Sequence, residues 1–163
     1  MKYLNYEKFD TQNGTGARCV LWVSRCSHGC EGCFNKNSWG NVGNIVTPEF
    51  KQKILQDLSQ PYIKGLTWSG GDPLHKSNLE EVLLFSREVK TLLPNKDIWL
   101  WTGYTLEEIQ NDLLRRQILD VIDVLVDGKY IQSLRDTSLK WRGSSNQRVW
   151  KRKGNLWELH EDN

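Results

Sequence analysis

Three of the chain's four cysteines stand in one short stretch, CSHGCEGC, as Cys26, Cys30 and Cys33. Thiolate is a soft ligand, suited to iron–sulfur clusters or zinc. Structural zinc takes four protein ligands, commonly from paired cysteines, and three thiols in one loop do not complete that set. Cys19 or His28 would complete a zinc site. Alternatively, Cys19 is a small residue of an apolar strand and His28 a solvated loop histidine. Three thiolates on a cubane cluster would leave one iron without a protein ligand, open to a substrate.

The elements that must position this loop read clearly. ARCVLWVS (17–24) is an apolar, β-branched run that leads straight into the cysteines, and NKNSWGNVGN (35–44) reads as loop. TPEFKQKILQDL (47–58) predicts a helix with Thr47 as N-cap, Pro48 in the first turn, and Phe50, Ile54 and Leu58 on one face. GLTWSGG (65–71) predicts a second strand. SNLEEVLLFSREVKTLL (77–93) predicts a second helix with a Ser77/Glu80 capping box. DIWLWTG (97–103) is a third strand. TLEEIQNDLLRR (105–116) is a third helix, boxed by Thr105 and Glu108, and VIDVLVDGKY (121–130) is a fourth strand. RVWKRKGNLWELH (148–160) predicts a hairpin around Lys153, Gly154 and Asn155.

Strands alternating with crossover helices make a parallel α/β sheet with right-handed connections. Four such units are too few for a closed eight-stranded barrel, so the expected fold is an open partial (βα) barrel, one domain over 1–163, with a short C-terminal β-hairpin. Ligands of such folds bind beyond the carboxyl ends of the strands. The unusual residues fall there: the cysteines after strand one, Gly70, Gly71 and Asp72 after strand two, Thr102 and Tyr104 after strand three, Asp127 and Lys129 after strand four.

The bulk numbers exclude other classes. The 163 residues suffice for one core, and a formal net charge of +2 with interspersed signs argues against a dedicated nucleic-acid binder. No apolar run has membrane-span length, and MKYLNYEKFD lacks the apolar stretch of a secretory signal. The expected location is the cytoplasm, where thiols stay reduced.

The C-x3-C-x2-C spacing followed by Phe34, with SGGDP after the second strand, resembles the radical S-adenosylmethionine (SAM) superfamily. NGTG, CEGCFN, GLTWSGGDPL, DIWLWTGYT, DVLVDGKY and WRGSSNQRVW are similar, in the same order, to segments of the activating proteins of anaerobic ribonucleoside-triphosphate reductase, over roughly residues 12 to 150. That resemblance implies a 4Fe-4S cluster on Cys26, Cys30 and Cys33, with SAM chelating the open iron. It implies an electron from a flavodoxin-type protein, and cleavage of SAM to methionine and a 5′-deoxyadenosyl radical. The radical would take hydrogen from a backbone glycine of the reductase's large catalytic subunit. Gly32 and Phe34 would lie against the cluster loop, with Phe34 near the adenine where the family often has tyrosine. Gly70 and Gly71 would let backbone groups approach SAM, and Asp72 would accept from SAM or orient its loop. Thr102, Tyr104, Asp127 and Lys129 would be further SAM contacts. Trp141, Arg142 and Arg148 would dock the partner or pack in the core. A different glycyl-radical partner, or a zinc-stabilised binding module without chemistry, are the alternatives.

Overall fold

The computed structural model describes residues 1–32 and 39–160. The expected strands form as β2 (Arg18–Val23), β4 (Gly65–Gly70), β5 (Asp97–Trp101) and β6 (Val124–Asp127), preceded by β1 (Lys2–Asp10) and β3 (Asn44–Ile45) and followed by β7 (Arg148–Lys153) and β8 (Leu156–Leu159). They join in one sheet of order β3-β1-β2-β4-β5-β6-β7-β8. The four central strands are parallel: Leu21 faces Trp68, Trp68 faces Leu100, and Leu100 faces Leu125. Their nearly continuous burial matches the rule that parallel strands are covered on both faces.

The sheet is mixed, not purely parallel. β1 runs antiparallel to β2, and the predicted hairpin is present as β7 and β8, with β7 antiparallel to β6. β1 escapes sequence reading because KYLNYEKFD has no apolar run and is half exposed. It is held by aromatic contacts to the first helix: Tyr3 stacks on Phe50 at 4.2 Å, and Tyr6 meets the same ring edge-on while its hydroxyl donates to Asp57.

The helices cover one face of the sheet. α1 (Pro48–Leu58) starts as expected, with the Thr47 hydroxyl accepting from Phe50 N. α2 (Leu79–Leu92) starts two residues later than expected, and the Ser77/Glu80 box is not its cap. Asn78 precedes the helix instead, its side-chain amide donating to the carbonyls of Ser24 and Asp72. α3 (Leu106–Gln110) has the expected Thr105/Glu108 box but is short. Asp112 accepts from Leu114 N and Arg115 N, a side-chain turn that competes with helix, and the chain continues as a 3-10 helix over Arg115–Asp120. Among the described residues, no helix is long and apolar enough to cross a membrane.

Side chains alternate between the two faces, as the strand period of two requires. Ile98 and Leu100 join the helices in the main core with Leu66, Trp68 and Val82. Trp99 turns to the opposite face, where it packs with Val124, Val126 and Val149. Arg18 is fully buried there. Its guanidinium donates to Thr67 Oγ1, to the carbonyls of Leu66 and Thr15, and to Asp97 at 2.6 Å. Burial lowers the Arg18 pKa and the Asp97 charge opposes that shift. Asp97→Ala removes the counter-charge and leaves the cation buried. The expected loss of stability is about 2–4 kcal/mol, at the lower side of broken buried pairs because Asp97 is partly exposed. Urea unfolding measures it; an unchanged midpoint would contradict the assignment.

Candidate functional site

Four loops meet beyond the carboxyl ends of β2, β4, β5 and β6. They enclose a cleft of about 180 Å³, lined by Cys26, His28, Cys30, Ser69, Gly70, Gly71, Trp101, Thr102, Gly103, Gly128, Tyr130, Gly143 and Gln147. The cysteine loop leaves β2 through Arg25, whose φ of 80° is left-handed, a conformation rare for non-glycine residues. The Arg25 carbonyl accepts from Asp72 N at 2.6 Å, and Cys26 N donates to the Trp39 carbonyl.

Cys26 and Cys30 both line the cleft. Cys33 and Phe34 lie outside the described residues. Cys19 is at the far end of the fold. It is fully buried near the start of β2, opposite Leu66, four residues and about 13 Å of strand before Val23. Burial raises its thiol pKa. The sulfur donates to the Lys8 carbonyl.

Gly70, Gly71 and Thr102 line the cleft as well. Gly70 has φ of 111°, and a Cβ there would run into the backbone of Val23. Gly32 also has positive φ, beside the Gln132 side chain rather than in the cleft lining.

Asp72 sits beneath the cleft, 1% exposed. Its carboxylate accepts from Leu74 N at 2.8 Å, from Thr102 Oγ1 at 2.8 Å and from Gly103 N at 3.0 Å, and His28 Nε2 lies 2.5 Å from Oδ2. Four donors on one acceptor-only group are what burying a carboxylate requires. His28 is thus not a solvated loop histidine: its side chain is 6% exposed. Tyr104 lies outside the lining. Its ring meets His28 edge-on at 4.6 Å, and the Arg115 guanidinium stands 4.2 Å from its centroid. One group of metal-type ligands occurs among the described residues: Cys26, His28 and Asp72, with ligand atoms within 4.8 Å of one another.

Asp127 is fully buried and outside the lining too. It accepts from Leu106 N at the start of α3 and from Arg148 at 2.6 Å. Lys129 borders an adjoining open groove with Thr105, Glu107, Asn146 and Arg148.

The segment after β6 supplies the cleft's remaining wall, which motif reading did not assign to the site. Gln147 accepts from Gly143 N and Ser144 N and donates to the Gly128 carbonyl, while Asn146 donates to the Lys129 carbonyl. SSNQ is therefore a clamp that fixes the turn after β6. Trp141, Arg142 and Arg148 serve packing and internal bonds. Trp141 meets Trp99 edge-on and accepts from Trp101 Nε1 through its carbonyl; Arg142 donates to the Gln147 carbonyl. Tyr130 and Trp101 lie inside the DVLVDGKY and DIWLWTGYT segments, yet nothing in their residue type marks them as cleft lining.

The 4Fe-4S single cluster domain family matches residues 12–150. The chain is 51% identical over 154 residues to the anaerobic ribonucleoside-triphosphate reductase-activating protein of Pasteurella multocida, covering 93% of this chain and 98% of that one. The proteins of the same name from Haemophilus influenzae and Escherichia coli are 51% and 47% identical, each over 90% or more of this chain and 96% or more of theirs.

Arg148 also forks onto Glu107, whose carboxyl it holds down at about 2 by hydrogen bonding. Arg148→Ala removes that cause, and Glu107 should return toward its usual value near 4.5. A depressed carboxyl contributes stability that is full above its usual value and is lost as pH falls through its folded one. The variant should therefore lack a stability loss that the parent shows between pH 4.5 and about 2 from this group. Carboxyl NMR titration is the check: a Glu107 still titrating near 2 in the variant would refute the pairing.

Proposed function

We propose, because this chain belongs to the anaerobic ribonucleoside-triphosphate reductase-activating protein family, that it is an iron–sulfur activating enzyme of the radical SAM class. Its substrate is the large catalytic subunit of that reductase, and its product is a glycyl radical on that subunit. The observation that carries this reading is the pair of thiols, Cys26 and Cys30, lining a glycine-walled cleft where four parallel strands end. Soft thiolates suit an iron–sulfur cluster. Gly70, Gly71, Gly103, Gly128 and Gly143 present backbone, not side chains, to whatever fills the space beside them.

Cys26, Cys30 and Cys33 would hold a 4Fe-4S cluster, and the rims of β4, β5 and β6 would hold SAM. When bound, the two supply a carbon radical by one-electron cleavage of the sulfonium, with the electron coming from a flavodoxin-type protein. The chain's own residues bind and orient. Gly70 and Gly71, with Thr102 beside them in the cleft lining, would admit the amino-acid end of SAM. Asp72 orients its loop, since its oxygens already serve four donors. Tyr104 acts through its packing on His28. Asp127 and Lys129 act by shaping the turn after β6. No acid or base is required. We read β2, β4, β5 and β6 with their crossover helices as an open partial (βα) barrel, and residues 1–163 as a single cytoplasmic domain. The open side would admit a glycine-bearing loop of the partner and shield the radical from water.

Replacing Cys26, Cys30 or Cys33 by Ala should abolish bound iron and sulfide after anaerobic reconstitution, while Cys19→Ala should retain both, because Cys19 lies in the core away from the cleft. Cluster loss in a folded Cys19→Ala protein would overturn the ligand set. The reaction itself is tested with the reductase. Reconstituted protein, reductant and SAM should yield a persistent glycyl signal by electron paramagnetic resonance, and a reductase with its radical-site glycine changed to alanine should give none. The same signal from the alanine form would exclude hydrogen abstraction from that backbone.

A further inference from the structure

His28 stands midway between Cys26 and Cys30, and its ring is buried in a slot built for it. Asp72 Oδ2 lies 2.5 Å from Nε2, and the Tyr104 ring closes one side edge-on. A Cβ at Gly103 would collide with the imidazole, so the glycine at the end of β5 is what lets the ring in. The same Gly103 donates its N–H to Asp72, and Thr102 donates its hydroxyl. Tyr104 is itself backed by Arg115, whose Nε donates to the Leu74 carbonyl in the turn that carries Asp72. The loop has little regular structure over residues 24–32, with left-handed backbone at Arg25 and Gly29. A side chain in the middle of such a loop, drawn into a rigid slot, fixes the arc on which its two neighbouring thiols stand.

From this geometry we infer that His28 is a positioning residue: bonded to Asp72 and seated against Gly103, it anchors the cysteine loop to the ends of β4 and β5 and so sets the placement of Cys26 and Cys30. The inference rests on the cluster assignment under the proposed function. Asp72 accepts only, so the bond is drawn as Nε2–H donating to the carboxylate. An amide at the same reach can replace it, and a hydrocarbon cannot. The other chemistry open to these atoms is direct ligation, with Cys26, His28 and Asp72 closing on one metal ion.

The test uses the full chain, reconstituted with iron and sulfide without oxygen, as the parent and as His28→Leu, His28→Gln and Gly103→Ala. Far-ultraviolet circular dichroism establishes that each is folded. Iron release to a ferrous chelator and the paramagnetic resonance spectrum of the reduced cluster are the readouts, neither of which needs SAM or the reductase. His28→Leu should release iron about 10- to 100-fold faster than the parent, the usual effect of losing a partner that orients ligands, with an altered spectrum. Gly103→Ala should do the same by expelling the ring, and the double variant His28→Leu/Gly103→Ala should be no worse than either alone. His28→Gln should restore slow release and the parental spectrum. Parental behaviour in His28→Leu, or no rescue by Gln, overturns the inference while leaving the cluster assignment intact. A parent that takes up zinc in place of a cluster, and loses it in His28→Gln, makes His28 a ligand and overturns both.

Discussion

A carboxylate taken out of water has to be met by donors, and the way Asp72 meets that requirement organises the functional end of the molecule. Its oxygens serve Leu74 N in its own turn, Thr102 and Gly103 at the end of β5, and His28 in the cysteine loop. Its backbone is used as well: the N–H goes to the Arg25 carbonyl and the carbonyl accepts from Asn78. Three segments that are remote in sequence are thereby fixed to one group. Hydrogen bonds to an ionised acceptor are about twice as strong as neutral ones, and a buried network gains when every member is satisfied. The turn after β4 therefore sets where the thiols stand, where β5 ends and where α2 begins.

Asp127 does the equivalent work on the other side of the cleft. It joins the start of α3 to Arg148 on β7, and Arg148 carries the link on to Glu107. Gln147 and Asn146 hold the turn that follows Asp127 by donating to the Gly128 and Lys129 carbonyls. Two buried acids thus lie behind the cleft, facing protein donors, while its lining is glycine backbone, aromatic rings and thiols together with His28, Ser69, Thr102 and Gln147. The two carboxylates serve the rigidity of the loops behind that lining.

The positions of the three described cysteines separate along the same lines. Cys26 and Cys30 are on the loop that Asp72 fastens, partly exposed. Cys19 is four residues before the end of β2, with burial raising its thiol pKa and the Lys8 carbonyl accepting from its sulfur. Most of a strand separates the buried thiol from the two that line the cleft.

Sequence alone determined the central strands, the cysteine motif and the rim on which it stands. A strand covered on both faces must be apolar almost throughout, and that signal survives without any knowledge of partners. β1 and the antiparallel side of the sheet were not determined in this way, because a half-exposed strand is polar on one face and its aromatic anchors act through Phe50, a residue of another element. Two identical capping patterns had opposite outcomes. Thr105 and Glu108 close on each other, whereas Ser77 and Glu80 do not, since Asn78 is claimed by carbonyls of Ser24 and Asp72. Asp72 and Asp127 likewise look alike in sequence, each an acid beside glycine at a strand end. Which donors reach them depends on loops 21 to 44 residues away in the chain, and so only the tertiary structure decided that both carboxylates serve the protein's own donors and that the His28 ring is buried against Asp72 and Tyr104.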